Sequence, residues 1–185
     1  MKKTIIKLVE VFLIFIASII CIFGIRNIFI NSKNELVDLI ENVAINQSKV
    51  QLALQNRSDY IPRLIEEAQK SIGSEVELLG EIDNLSVQIA NCIDSGRYME
   101  AEKYNSKLTL KLEDLYWMHP VLRKNERFGE LKKRVEECEK NINFVIGEYN
   151  KSAKAFNTKL QEFPIGIVAK ILGYNQMRYF EADVS

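Results

Sequence analysis

NERFGELKKRVEECEKNINFVIGEYNKSAKAFNTKLQEF, residues 125–163, is the stretch on which the reading of the whole chain turns. Phe128, Leu131, Val135, Cys138, Ile142, Val145, Tyr149, Ser152, Phe156 and Phe163 recur in it at steps of three, four and seven. That spacing sets them along one face of an α-helix as a heptad seam, and at 1.5 Å per residue the segment would run about 58 Å. A helix of that length does not bury its seam alone. The rest of the chain must supply partner helices, and a coiled coil between two copies of the chain is a further way of covering the seam.

Composition points the same way. Only 3 prolines and 8 glycines occur in 185 residues, which favours long helices over a sheet with many turns. Twenty-five basic residues balance 25 acidic ones, so no overall field draws the chain to nucleic acid or to strongly acidic partners. The 3 cysteines do not form a disulfide framework. Cys21 falls in an apolar segment, and Cys92 and Cys138 read as unpaired packing residues on helices, free to pair if the domain faces outside.

Between residues 8 and 30 only Glu10 and Arg26 are charged, and 11–25 carries no charge. About 20 residues of helix match the hydrocarbon thickness of a bilayer, so this segment is expected to span a membrane. The spanning side chains are Leu8, Val11, Phe12, Leu13, Ile14, Phe15, Ile16, Ile19, Ile20, Cys21, Ile22, Phe23 and Ile25. Lys2, Lys3 and Lys7 would suit a signal peptide, but no small-x-small cleavage site follows, and Ile20 stands where a lipoprotein site before Cys21 needs a small residue. The segment is therefore expected to stay as a single-pass anchor. Three lysines before it against Arg26 and Lys33 after it lean toward an inside amino terminus.

Beyond the anchor, Leu36, Ile40, Val43, Gln47, Val50 and Leu54 continue a helical stripe, so the membrane helix is expected to run on to about 56–60, where Ser58 or Asp59 would cap a new helix opening at Pro62. Ile61, Ile65, Ala68, Ile72, Val76, Leu79, Ile82, Ser86 and Ile89 make a second seam, with Gly73 and Gly80 as weak points for a bend, ending at Asp94, Ser95 and Gly96. A third helix is expected over 97–117, with Tyr98, Ala101, Asn105, Leu108, Leu112 and Leu115 spaced for burial, before His119 and Pro120 turn the chain. Short connections make successive helices antiparallel, giving an elongated antiparallel four-helix bundle behind the anchor. At about 30 Å the third helix is much shorter than the fourth, so the fourth must overhang or break.

Three regions follow: an anchor over 1–30, a helical bundle over 31–163, and an apolar segment with a tail over 164–185. In the last, Ile165, Ile167, Val168, Lys170, Ile171, Leu172 and Tyr174 either cap the base of the bundle or lie at the membrane interface, where Lys170 could snorkel and Tyr174 and Tyr179 sit at headgroup level.

Chemistry finds little to work with. His119 is the single histidine, so zinc motifs and the Glu-x-x-His pairs of di-iron bundles are missing, and no metal or cofactor is expected. No glycine-rich loop follows a strand, and no oriented base accompanies a serine or cysteine nucleophile, so the chain is not expected to be an enzyme. Glu66 and Glu67, Glu75 and Glu77, and Glu136 and Glu137 read as solvated faces, and Lys132, Lys133 and Arg134 as part of an ordinary charged face. Tyr104, Tyr116, Trp117, Phe144, Tyr149 and Phe156 read as core and seam residues rather than a base-stacking surface, and no nucleic-acid partner is expected.

Val50, Gln51 and Leu52, then Asn56, Arg57, Ser58, Asp59, Tyr60, Ile61, Pro62, Arg63, Leu64 and Ile65, form a block that resembles the LemA family. The resemblance continues through His119, Pro120, Val121 and Leu122 and through residues 125–128. It closes with Tyr149 and Asn150, Phe156 and Asn157, Phe163 and Pro164, Leu172, Gly173 and Tyr174, and Tyr179, Phe180, Glu181 and Ala182, in order and spacing. Residues 73–110 match only in helical character. Asn56, Lys33 and His119 depart from the family's usual basic, tyrosine and aromatic residues. The resemblance implies a bacterial single-pass membrane protein with a helical soluble domain and no assigned active site. It also implies a short outside amino terminus, opposite to the charge count, and the side stays open. The expected role is a scaffold or adaptor of the bacterial envelope, with the lipid bilayer and other proteins as partners and a homo-oligomer possible. The alternative is a membrane-organising protein that uses the anchor and the apolar C-terminal segment.

Overall fold

The apolar run and the stripe that follows it form one helix, α1 (Lys2–Ser58). It appears in a computed structural model that describes residues 2–74 and 76–180, with side chains from residue 12 onward. After α1 come α2 (Ile61–Ile72), α3 (Glu77–Asp94), α4 (Tyr98–Met118), a 3-10 turn (Leu122–Lys124), α5 (Glu126–Lys159) and α6 (Ile165–Leu172). Every regular element among the described residues is helical, as the seams predict.

The expected second helix is two helices. Its seam is buried at Ile61, Ile65, Ala68, Leu79, Ile82, Ser86 and Ile89 and half-buried at Ile72 and Val76, but the chain breaks at Gly73, with φ +85° and ψ 162°. That backbone region is open essentially to glycine alone. Gly80 has ordinary helical surroundings inside α3, so of the two weak points one bends and the other does not. Pro62 sits in the first turn of α2 as expected, but neither Ser58 nor Asp59 caps it. Tyr60 holds the cap position without a side-chain bond, and Asp59 accepts a hydrogen bond from Gln55 instead (3.0 Å).

The chain divides into two compact units. The first joins α1 up to Asn42 with residues 153–177, and its buried side chains are Ser32, Leu36, Ala153, Phe156, Asn157, Ile165, Val168 and Ala169. Lys159 bridges Glu35 at 3.0 Å and Glu162 at 2.8 Å within it. After α5, Gly166 passes so close to the backbone that a Cβ there would lie 2.5 Å from the Leu160 carbonyl oxygen.

The second unit holds residues 43–152 and the tail from Arg178. Its core takes Val43, Val50, Ala53 and Leu54 from α1, the α2 and α3 seam, Ala101, Leu108, Leu112 and Leu115 from α4, and Phe128, Leu131, Val135, Ile142, Val145 and Tyr149 from α5. α3 and α4 pack on one another across the short turn at Gly96, where φ is +71°. Asn125 opens α5. Its Oδ1 accepts the Phe128 amide (2.9 Å), and its Nδ2 reaches Glu67 (3.0 Å) and Ser71 (2.8 Å) of α2. One side chain thus satisfies an orphan amide of one helix and fastens it to another.

α5 runs 34 residues without a break and ends at Lys159, short of the expected Phe163. Phe163 is 83% exposed, so the seam ends at Phe156. Trp117 and Phe144, read from the sequence as core, are 63% and 66% exposed. Helical period alone puts a side chain on a face, whereas burial also requires a partner opposite it.

Candidate functional site

Three features carry the chemistry of this chain: an uncovered apolar helix, a clamped tail and a buried arginine. The uncovered helix comes first. Phe12, Leu13, Ile14, Phe15, Ile16, Ile19, Ile20, Ile22, Phe23 and Ile25 are all exposed, from 38% at Ile16 to 69% at Ile14, and Cys21 is exposed with them. Leu8 and Val11 lie outside the residues whose side chains are described. A helix apolar on every side needs an apolar surrounding, because each Å² left in water costs about 25 cal/mol. Ser18, the polar side chain within the run, donates its hydroxyl to the Phe15 carbonyl at 2.7 Å and so needs no water. Among the described residues this is the one helix long and apolar enough to cross a membrane. Beyond the run one face of α1 becomes covered, with Ser32 4% and Leu36 0% exposed, while Val37 on another face stays 44% exposed.

In the first unit the C-terminal apolar residues sort into two faces of α6. Ile165, Val168 and Ala169 are buried against the chain, whereas Ile167, Lys170, Ile171 and Leu172 are exposed. Tyr174 packs edge-on against Phe156, ring centroids 6.2 Å apart. Asn157 then holds the tail. Its Oδ1 accepts the Met177 amide (2.7 Å) and its Nδ2 donates to the Met177 carbonyl (2.8 Å).

The second unit repeats the device. Asn150 Oδ1 accepts the Phe180 amide (2.9 Å), and Asn150 Nδ2 donates to the Phe180 carbonyl (3.0 Å). The Tyr149 hydroxyl donates to the Arg178 carbonyl (3.0 Å), and its ring meets Phe180 edge-on at 5.0 Å. Burial raises the Tyr149 hydroxyl above its ordinary pKa, which keeps it a donor. A carboxamide has one acceptor and one donor edge side by side, so it matches the amide and carbonyl of a single residue as a β-strand neighbour would. Glutamine alone shares this carboxamide edge.

Also in the second unit lies the buried arginine. Arg57, at the end of α1, is 2% exposed. Its Nη1 is 3.0 Å from Glu139 of α5 and donates to the Asn105 side chain and to the Asn105 carbonyl (3.2 Å) of α4. Its Nη2 donates to Thr109 (2.8 Å). Asn105 and Thr109 each also bond Glu139 at 3.2 Å, closing a network across three helices. Burial pulls the arginine's pKa down and Glu139 opposes this, but an arginine so paired stays charged. Arg57 Nε is buried with no hydrogen-bond partner. Beside the network a cavity of about 250 Å³ is lined by Leu64, Leu112, Val135, Lys132 and Glu136 among others.

The sequence did not single out this network. Its signals were Asn105 on a stripe spaced for burial, and the α1 stripe, which reaches Arg57 three residues after Leu54. The acidic pairs fare unevenly. Glu66 is a solvated partner of Lys70, whereas Glu67 is bonded by Asn125, whose amide holds the carboxyl below its ordinary pKa. Lys132 is largely covered, bonding Glu113 and Glu136 above the Tyr116 ring. Cys92 and Cys138 are both free thiols. No three His, Cys, Asp or Glu side chains gather as a metal site among the described residues.

The family model described as LemA family matches residues 46–185, three quarters of the chain. The chain belongs to the LemA family. A comparison with curated proteins gave no match. The match covers the Arg57 network and both asparagine clamps, while the exposed apolar run over 12–25 precedes it. In this LemA-family chain, Tyr149, Asn150, Phe156, Asn157, Tyr174 and Phe180, which carry the resemblance, are the residues that hold the C-terminal tail in place.

Proposed function

We propose that this LemA-family chain is a membrane-tethered helical scaffold or adaptor of the bacterial envelope, acting by binding rather than by catalysis. One observation carries the reading: α1 is continuous from side chains that are apolar and uncovered over 12–25 to side chains that are fully buried at Leu36, Val43 and Val50. A continuous helix of that kind ties whatever the folded part holds to the bilayer. In this reading the partners are lipid and other envelope proteins, with a second copy of the chain as one of them. Trp117, Met118 and Val121, all exposed near the end of α4, support a protein-binding role, because aromatic and methionine side chains are enriched at interfaces.

The test is made on the full chain in cells. Alkaline carbonate should leave it in the membrane pellet, and Ile14→Lys with Ile19→Lys should release it. Crosslinking should capture defined protein neighbours that are lost with Trp117→Ala and Met118→Ala. Extraction of the unsubstituted chain by carbonate, or a catalytic activity without protein neighbours, would overturn the proposal. The membrane-organising alternative draws on the outward face of α6.

A further inference from the structure

We propose that α6 lies in the interfacial layer of the bilayer beside the point where α1 enters it, with Phe163, Ile167 and Ile171 against acyl chains and Lys170 among anionic headgroups. The proposal deepens the anchor reading and rests on it. α6 is apolar on two opposite faces. Ile165, Val168 and Ala169 fill the first unit's core, which leaves Ile167 and Ile171, 54% and 67% exposed, turned away from it, with Phe163 at 83% just before the helix. Within α6, residues 167, 170 and 171 stand at helical spacings of three and four, so they form one surface, and Phe163 precedes it in the turn that leads into the helix. Such a surface facing water has no local cover in the chain.

Continuity with the anchor identifies the occupant. Lys159 at the end of α5 is ion-paired with Glu35 at 3.0 Å. Glu35 lies ten residues beyond Ile25, where the uncovered apolar run ends, and five beyond Ile30, about 15 and 7.5 Å along the helix axis. Phe163 follows Lys159 by four residues and α6 begins two residues later. α6 is thus held in the same compact unit as the stretch of α1 that adjoins the apolar run.

Charge agrees with this placement. The outward face carries Lys170 alone, and a lysine can rest its methylene stem on apolar surface while its ammonium reaches the phosphates. Glu162, the acid nearest that face in sequence, is already bridged by Lys159 at 2.8 Å. Interfacial helices bury an apolar face about 5–10 Å into the headgroup and acyl boundary and set basic side chains against anionic lipid, the arrangement this face of α6 offers.

The experiment uses the full chain with Trp117→Phe, reconstituted in phosphatidylethanolamine and phosphatidylglycerol vesicles whose acyl chains are brominated. Phe15→Trp reports on the anchor, and Ile171→Trp and Phe163→Trp on α6, with helicity confirming that each variant folds. All three tryptophans should lose about half or more of their emission to the bromolipid, and the α6 pair should be shielded from iodide. Quenching of Phe15→Trp without quenching of either α6 position overturns this proposal and leaves the anchor standing, and shielding from iodide would then point to a second copy or a protein partner on that face. If Phe15→Trp is not quenched, the anchor reading fails and this one fails with it.

Discussion

Arg57 and Glu139 sit 3.0 Å apart with unequal burial: 2% of the arginine side chain is exposed, against 22% of the glutamate. The inequality predicts an order of mutational effects. Glu139→Ala leaves a guanidinium buried without its counter-charge and should cost about 3 kcal/mol or more. Arg57→Met removes the charge that burial disfavours, and Glu139 keeps Asn105 and Thr109 as donors, so its cost should be nearer 1 kcal/mol. Urea unfolding of the detergent-solubilised chain measures both, and the reverse order would refute the assignment.

The asparagine clamps depend on a donor and an acceptor together. Asp at either site keeps the acceptor and sets a carboxylate against the tail carbonyl. Asn157→Asp should therefore free the Met177 amide, and Asn150→Asp the Phe180 amide, each exchanging hydrogen about tenfold faster, the equivalent of 1.4 kcal/mol. Gln, which carries the same edge on a longer stem, should restore part of the protection. Unchanged exchange at both amides would show that the tail is held by its aromatic contacts alone.

Two glycines should respond in opposite directions to alanine. At Gly166 the new Cβ would meet the Leu160 carbonyl oxygen at 2.5 Å, a backbone atom that cannot swing aside. Gly166→Ala should destabilise the first unit by about 1–3 kcal/mol, seen as faster proteolysis beyond Lys159. Gly147 in α5 has nothing within 4 Å of its would-be Cβ, so Gly147→Ala should stabilise the helix by up to about 1 kcal/mol.

Asn125 links a helix cap to a titration. Its amide is the main reason the Glu67 carboxyl lies below its ordinary pKa in the folded chain. A lowered folded pKa contributes stability above the ordinary carboxylate range and loses it as pH falls through the folded value. Asn125→Ala should cost about 1 kcal/mol at any pH through the lost α5 cap, plus a part that is present at pH 7 and is lost as pH falls through the lowered folded value of Glu67. Denaturation midpoints of the two proteins should therefore draw closer on acidification. Parallel midpoints would deny the Glu67 contribution.

Much of the architecture was legible before any coordinates. The apolar run, the continuous α1, the seams of α2 to α5 and the turns near residues 58–60, 95–97 and 119–125 follow from the 3.6-residue period, proline and glycine. Phe163, Trp117 and Phe144 were misread because an apolar residue on a helix is a candidate for burial, not proof of it. Gly73 was flagged as weak but not as a break, since a φ of +85° is a choice glycine permits rather than compels.

The chain's own pattern determined that it is all helical, where the uncovered apolar helix lies, and which positions form the seams of residues 125–163 and their partners. Those are properties of local periodicity and hydropathy, set within a few turns. Only the tertiary structure decided that Arg57 meets Asn105, 48 residues away, that Asn150 and Asn157 grip the tail, and that α6 keeps one apolar face bare. Polar pairing across helices depends on which side chains arrive at hydrogen-bond distance with the right edge, and that is settled by packing between segments far apart in the chain.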